Sequence, residues 1–247
     1  MYRFFVSPEN IQGNDVYIEG QDVNHMKNVL RMKPGEEVSV VTEGENAEYR
    51  CEVAAFEEDR VRLKLRFIKE ENVELPNKIY LFQGLPKSDK MEFIIQKAVE
   101  LGVYEIIPVA MKRSVVKLDK KKEASRIARY NSISEAAAKQ SKRSVIPCVR
   151  NVMTFNEAVE YCRDMDVKLL PYELADMDAM DRTRSILGGI KKGQSVAVFI
   201  GPEGGFEESE VDVALRGDFE TITLGRRILR TETAGMTVLS WLVYLLE

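Results

Sequence analysis

Arg230 and Glu232 stand one residue apart in the segment LGRRILRTETA, Leu224 to Ala234, between a glycine turn and a strongly apolar C-terminal stretch. A cation and a carboxylate held together in a pocket can stabilise developing charge and accept a proton. The same pair can instead bridge itself or cap the following helix, an arrangement that contributes little on a surface. A second segment, IGPEGGF from Ile200 to Phe206, follows the apolar run Val196–Phe199 and adds Glu203. It is not a phosphate loop, because no Gly-Lys-Ser/Thr follows Gly205, and the G-x-G-x-x-G spacing of dinucleotide sites is missing. Glu207, Glu208 and Glu210 come next, so the loop suits a neutral or cationic ligand better than a phosphate. Alone, IGPEGG is also compatible with a plain tight turn.

Both segments read as strands running into loops, and such loops at the carboxyl ends of parallel strands are where open α/β sheets bind ligands. From Ile79 onward strands alternate with helices, the mark of a parallel sheet. The strands are predicted at Ile79–Leu85, Val103–Val109, Val167–Pro171, Ser195–Ile200 and Glu220–Leu224. Asp89-Lys90-Met91-Glu92 reads as a capping box opening a helix with Met91, Ile94, Ile95 and Ala98 on its buried face and Gly102 at its end. A long basic helix is predicted over about Lys122–Gln140, and Thr154–Glu157 caps another. Residues 2–70 read differently, as short strands at Arg3–Val6, Val16–Glu19, Glu37–Thr42, Tyr49–Phe56 and Arg60–Ile68 with one helix near Val23–Arg31. That pattern suggests a small barrel or sandwich. In the last strand Val61, Leu63, Leu65 and Phe67 alternate with basic residues and should share one face. Polar Glu70–Asn77 reads as a linker, dividing the chain into domains 1–72 and 73–247.

With 247 residues, 45% of them hydrophobic, the chain can bury real cores. Its formal charge of −4 argues against nucleic acid as a partner, but the charge is uneven. Residues 112–143 carry 11 Lys/Arg against 3 Asp/Glu, whereas the flanking regions are acidic. Such a block is either a solvated helix face or a phosphate-binding patch. Cys51, Cys148 and Cys162 form neither a close pair nor a metal-ligand spacing, which suggests a reduced, cytoplasmic protein. With one histidine, His25, a Ser-His-Asp triad or a histidine zinc site is nearly excluded, and no metal is expected. No charged-then-apolar leader follows Met1, so no signal peptide is expected. Thr237–Leu246 falls short of the roughly 20 apolar residues needed to cross a bilayer, so it reads as a buried or interface helix and no membrane partner is expected.

Taken together, IGPEGGF and LGRRILRTETA resemble the signature of the RsmE family of ribosomal RNA methyltransferases, in the SPOUT class. The likeness covers nearly the whole chain. His25–Arg31, Lys87-Ser88-Asp89-Lys90, Gln96–Val103, Arg113, and Gln140–Arg143 followed by Pro147 resemble further motifs of that family. Ser88, Lys139 and Lys142 depart from its pattern, the last two making the presumed RNA face more basic. The resemblance implies an α/β SPOUT domain with a C-terminal trefoil knot, preceded by a PUA-like β-barrel, assembled as a homodimer. It implies S-adenosylmethionine as methyl donor and N3 of a uridine in small-subunit (16S) ribosomal RNA, free or in the assembled subunit, as acceptor. By position the donor would rest on Leu170, Pro171, Ile200, Gly201 and Gly205, and on Leu224, Gly225, Ile228 and Leu229. Arg230 would stabilise the uridine anion and Glu232 would take its proton. RNA contacts would come from Arg113, Lys139, Lys142 and Arg143 in the basic segment, and from Arg3, Arg31, Lys87 and Lys90. Ribose 2′-O methylation by a related knotted fold is the nearest rival, and a non-enzymatic assembly factor is the rival from another class.

Overall fold

A computed structural model describes residues 1–42, 45, 47–70, 73–87, 89–116, 120–172 and 179–247, excepting the side chains of 120–122. Ser88, Glu71 and Asn72 of the predicted motif and linker, and 117–119 of the basic segment, lie outside the described residues. The chain divides into two compact units: Met1–Glu74 with Ala138–Ile146, and Leu75–Ala137 with Pro147–Glu247.

The first unit holds β1 (Tyr2–Val6), β2 (Ile11–Gln12), β3 (Asp15–Glu19), α1 (Gln21–Asn24, continuing as a wide π-type turn through Val29), β4 (Glu37–Thr42), β5 (Ala47–Phe56) and β6 (Arg60–Glu70). They form one mixed sheet in the order β1-β4-β5-β6-β3-β2, with β1 and β4 parallel. Alternation places Val38, Val40, Val53, Val61 and Leu63 in one apolar core with Phe4 and Ile18. Phe67 does not follow its strand inward and is 58% exposed. The β5–β6 register shifts at Arg50/Cys51, between the partners of Leu65 and Phe67, so the facing rule that holds for Val61 and Leu63 lapses at Phe67.

Residues 138–146 join this unit through the half-buried carboxylate of Glu74. Glu74 Oε2 lies 3.1 Å from Arg143 Nε, and Glu74 Oε1 accepts the amides of Ser144 (2.8 Å) and Val145 (3.2 Å). Arg3 donates to the carbonyls of Lys142 and Arg143 and pairs with buried Glu48 at 3.3 Å. Arg3 and Arg143, expected on an RNA face, are thus 6% and 4% exposed. Buried guanidinium groups need such partners, because an unpaired charge there costs several kcal/mol. Their assignment as RNA contacts gives way to a structural one.

The second unit holds β7 (Lys78–Gly84), α2 (Lys90–Glu100), β8 (Glu105–Ala110), α3 (Lys120–Ser141, whose last turn belongs to the first unit), β9 (Cys148–Val149), β10 (Met153–Thr154), α4 (Phe155–Tyr161), β11 (Val167–Pro171), α5 (Ala179–Gly188), β12 (Ser195–Ile200), α6 (Glu208–Arg216), β13 (Glu220–Ile222) and α7 (Thr231–Leu246). The sheet is parallel throughout its described pairings, in the order β10-β8-β7-β12-β11-β13, with β9 beside β8. β12 is central and reads as an unbroken apolar run because both of its faces are covered. Phe199 stacks on Phe82 with ring centroids 4.3 Å apart and meets Phe219 edge-on at 4.9 Å. The Thr154–Glu157 capping box forms as predicted, Glu157 Oε2 accepting the Thr154 amide at 2.7 Å. The Asp89–Glu92 box does not. Asp89 has φ −85° and ψ 6°, outside the extended conformation of a capping residue, and Glu92 pairs instead with Arg129. Asn77, read as linker, is buried and donates to the carbonyls of Lys191 (2.7 Å) and Gln194 (2.9 Å). Among the described residues no helix is long and apolar enough to cross a membrane.

Candidate functional site

The carboxyl ends of β11, β12 and β13 and the start of α7 border an open cavity of about 990 Å³. Both glycine-bearing segments line it. The β12 loop turns through Gly205 at φ +68°, a left-handed conformation that side chains disfavour. Phe206 then anchors the loop in the core, 6% exposed and edge-on to Phe155 at 6.3 Å. Gly84 at the end of β7 lets the loop lie close, since a Cβ there would meet Pro202 Cδ and N at 2.7 Å.

A short relay joins the pieces. Gln83 Nε2 donates to Thr231 Oγ1 at 2.8 Å, and Thr231 Oγ1 donates to the Gly201 carbonyl at 2.6 Å. The first residue of α7 is therefore tied to the floor strand β7 and to the glycine loop. α7 also packs on α2 and β12, burying Gly235, Val238, Leu239 and Leu242.

Of the predicted donor-site residues, Pro171, Ile200, Gly201 and Gly205 line the cavity from one side, and Leu224, Gly225, Ile228 and Leu229 from the other. Leu170 does not line it and is fully buried beneath. Arg230 lines the cavity at the N-cap position of α7 but makes no side-chain cap. Its guanidinium has no ion pair or hydrogen bond among the described residues, so neither bridging to Glu232 nor capping explains it.

Glu232 pairs instead with Lys90, Oε2 to Nζ 3.4 Å, and Lys90 also reaches Glu203 at 3.1 Å. Lys90, expected on the RNA face, thus sits in the cavity wall between two carboxylates. Its hydrogen bond to Glu203 raises its pKa above the ordinary 10.5. Burial alone would raise the Glu203 carboxyl, but its own amide, the Lys87 amide and the Lys90 ammonium outweigh it and hold the group below 4.5. Arg113 also lines the cavity, with Nε 2.8 Å from Glu207 and a bond to the Gly204 carbonyl at 3.2 Å.

The remaining cations lie elsewhere. Lys87 is exposed beside the loop. Arg31 and Lys142 are exposed on the first unit, each in a left-handed conformation, and Lys139 there pairs with Asp22 at 2.9 Å. Sequence reasoning missed Gln83, Thr231 and the linkage of Lys90 to both carboxylates. A lone amide inside the apolar strand Ile79–Leu85 was the available signal for the first. No group of three or more potential metal ligands occurs among the described residues.

Comparison with known proteins agrees with this geometry. The family described as "RNA methyltransferase domain" matches residues 73–243, and "RNA methyltransferase PUA domain" matches 18–66. The chain is 37% identical to ribosomal RNA small subunit methyltransferase E of Bacillus subtilis, covering 100% of this chain and 98% of that protein. It is 34% identical to the protein of that name from Mesomycoplasma hyopneumoniae, covering 97% and 98%. The solved structure of ribosomal RNA small subunit methyltransferase E from Neisseria gonorrhoeae bound to S-adenosyl methionine superposes with a TM-score of 0.82 at 30% identity, covering 99% and 98%. The chain belongs to the RsmE family of RNA methyltransferases, with a PUA-like first domain and a SPOUT-type α/β second domain.

Proposed function

We propose that the protein transfers a methyl group from S-adenosylmethionine to N3 of a uridine in small-subunit (16S) ribosomal RNA. The observation that carries this reading is an unpaired Arg230 lining a cavity on the carboxyl edge of a parallel sheet, with half-buried Glu232 two residues on in α7, outside the lining but paired with the lining residue Lys90.

The cavity fits the donor. Its volume lies near the upper end of the roughly 300–1,000 Å³ range of small-molecule sites. The backbone groups of Ile228 and Leu229 make no hydrogen bonds among the described residues and are open to an adenine edge. Glu203 and Glu208 in its lining suit a cation and oppose a phosphate. When bound, S-adenosylmethionine supplies an electrophilic methyl group on a cationic sulfur.

Uridine N3 carries a proton at neutral pH and becomes nucleophilic when it leaves. Glu232, paired with Lys90, accepts that proton directly or through water. Arg230 stabilises the anion then shared by the two ring carbonyls, without first breaking an ion pair. N3 is hidden in a paired duplex, so the target base is single-stranded or flipped out. Arg31, Lys87 and Lys142 are exposed and serve as phosphate contacts, and half-buried Lys139 would have to leave Asp22 to join them.

The same reading divides the work between an RNA-binding domain 1–72 and a transferase domain 73–247, closed by a C-terminal trefoil knot. It makes the protein a cytoplasmic homodimer, a state supported by the exposed Tyr244 and Leu245 on α7.

Nucleoside analysis of 16S RNA from a deletion strain tests the reaction. Loss of 3-methyluridine is expected, and loss of a ribose-methylated nucleoside in its place sinks the assignment. Arg230→Ala should lower turnover by roughly 10²–10³-fold while the fold and donor binding persist. Near-normal turnover removes Arg230 from the mechanism.

A further inference from the structure

A second hollow, of about 750 Å³, opens beside the first at the ends of β8 and β10. One wall is common to both. Arg113 and Glu208 face the first cavity, while their neighbours Lys112, Ser114 and Ser209 face the second. Half-buried Val116, Val152 and Val213 give its mixed lining an apolar part. Two cations border it. Lys112 Nζ rests on Ser209 Oγ at 2.7 Å, and the Arg216 side chain has no ion pair or hydrogen bond among the described residues.

Glu210, the carboxylate of the hollow, is 4% exposed, and its oxygens already accept the amides of Lys112 (2.8 Å) and Glu207 (2.9 Å). Those two bonds turn its oxygens toward backbone amides, leaving Lys112 and Arg216 as the charged groups at the border of the hollow. The exposed Asn156 amide also lines the hollow and is unpaired among the described residues.

Apolar side chains, a free side-chain amide and two cations at the border match the parts of a nucleotide: base faces, base edge and phosphate. We propose that this hollow receives an RNA nucleotide flanking the one presented to the first cavity. Its base packs on the valines and meets Asn156, and its phosphate meets Lys112 and Arg216. The inference rests on the proposed RNA methylation and adds a site that would help choose the target by its neighbour.

The test uses the full-length protein and a 16S fragment containing the target uridine, with anisotropy titrations across salt concentrations. Arg216→Ala and Lys112→Ala should each weaken RNA binding roughly tenfold. Each should also flatten the dependence of log K on log salt by roughly 0.7, the increment for one phosphate on a single strand. Arg216→Lys should restore that slope. Calorimetry should find donor affinity unchanged in all three variants. If wild-type protein methylates the RNA but both alanine variants bind it with wild-type affinity and slope, the subsite is refuted and the proposed function stands. Loss of donor binding in the variants also refutes it, because the residues would then act through the shared wall. If wild-type protein binds the donor but neither binds nor methylates the RNA, both proposals fall.

Discussion

Thr231→Val removes one hydroxyl from the centre of the site with almost no change in volume. That hydroxyl accepts from Gln83 Nε2 and donates to the Gly201 carbonyl, and Thr231 is 5% exposed. With valine in place the Gln83 amide keeps its 3.0 Å bond to the Gly84 carbonyl, but its second proton is left against apolar surface. Water cannot reach fully buried Gln83, and a buried donor left unsatisfied costs roughly 1–3 kcal/mol. Gly201 is only half-buried and can bind water instead, so its loss is the net value of one hydrogen bond, about 0.5–1.5 kcal/mol. The expected destabilisation is therefore about 2–4 kcal/mol. At roughly 2–4 °C per kcal/mol for a chain of this size, the Tm should fall by roughly 5–15 °C. Thr231→Ser retains both bonds and loses only a methyl group, roughly 0.8 kcal/mol. Scanning calorimetry with and without S-adenosylmethionine reads both effects, since the donor should stabilise the valine variant less. If valine proves as stable as serine and binds the donor equally well, the relay does not hold the site together.

Two further predictions concern the same loop. Gly84→Ala places a methyl group 2.7 Å from the Pro202 ring and nitrogen, neither of which can rotate away. The loop must shift, at about 1–3 kcal/mol of overpacking, and calorimetric titration should show weaker donor binding; unaltered affinity would separate Pro202 from the site. Glu203 titrates below its ordinary 4.5 in the folded protein, so its contribution to stability is present above that pH and is lost as pH falls through the lowered value. Urea midpoints at pH 6 and pH 3.5 should therefore converge more for Glu203→Gln than for the parent, and parallel losses would contradict the pairing with Lys90.

The strands carrying the site were legible because β12 is an uninterrupted apolar run and the glycine loops punctuate it, signals local to a few residues. Nearly all the expected donor contacts converge on one cavity for that reason: position at a strand end is encoded by the strand. Individual side-chain fates were not. Arg3 and Arg143 carry the same charge as any RNA-binding arginine, and only the distant carboxylates Glu48 and Glu74 make them structural. Lys90 likewise looked like a surface cation until Glu203 and Glu232, more than a hundred residues away, closed around it. Phe67 fits its strand's period, but a bulge depends on the partner strand and leaves no mark in the alternation.

The clasp at Glu74 has a consequence for biosynthesis. β1–β6 are complete by Glu70, yet the arginine that neutralises Glu74 arrives 69 residues after it. At about 5–20 residues per second, the emerging sheet waits roughly 3–14 s for its last piece. Through that interval the nascent N-terminal unit carries an uncompensated carboxylate and lacks the segment that supplies the carbonyl partners of Arg3. A fragment ending at residue 74 should retain those vacancies permanently, so grafting this unit onto another enzyme requires carrying the 138–146 strap along with it.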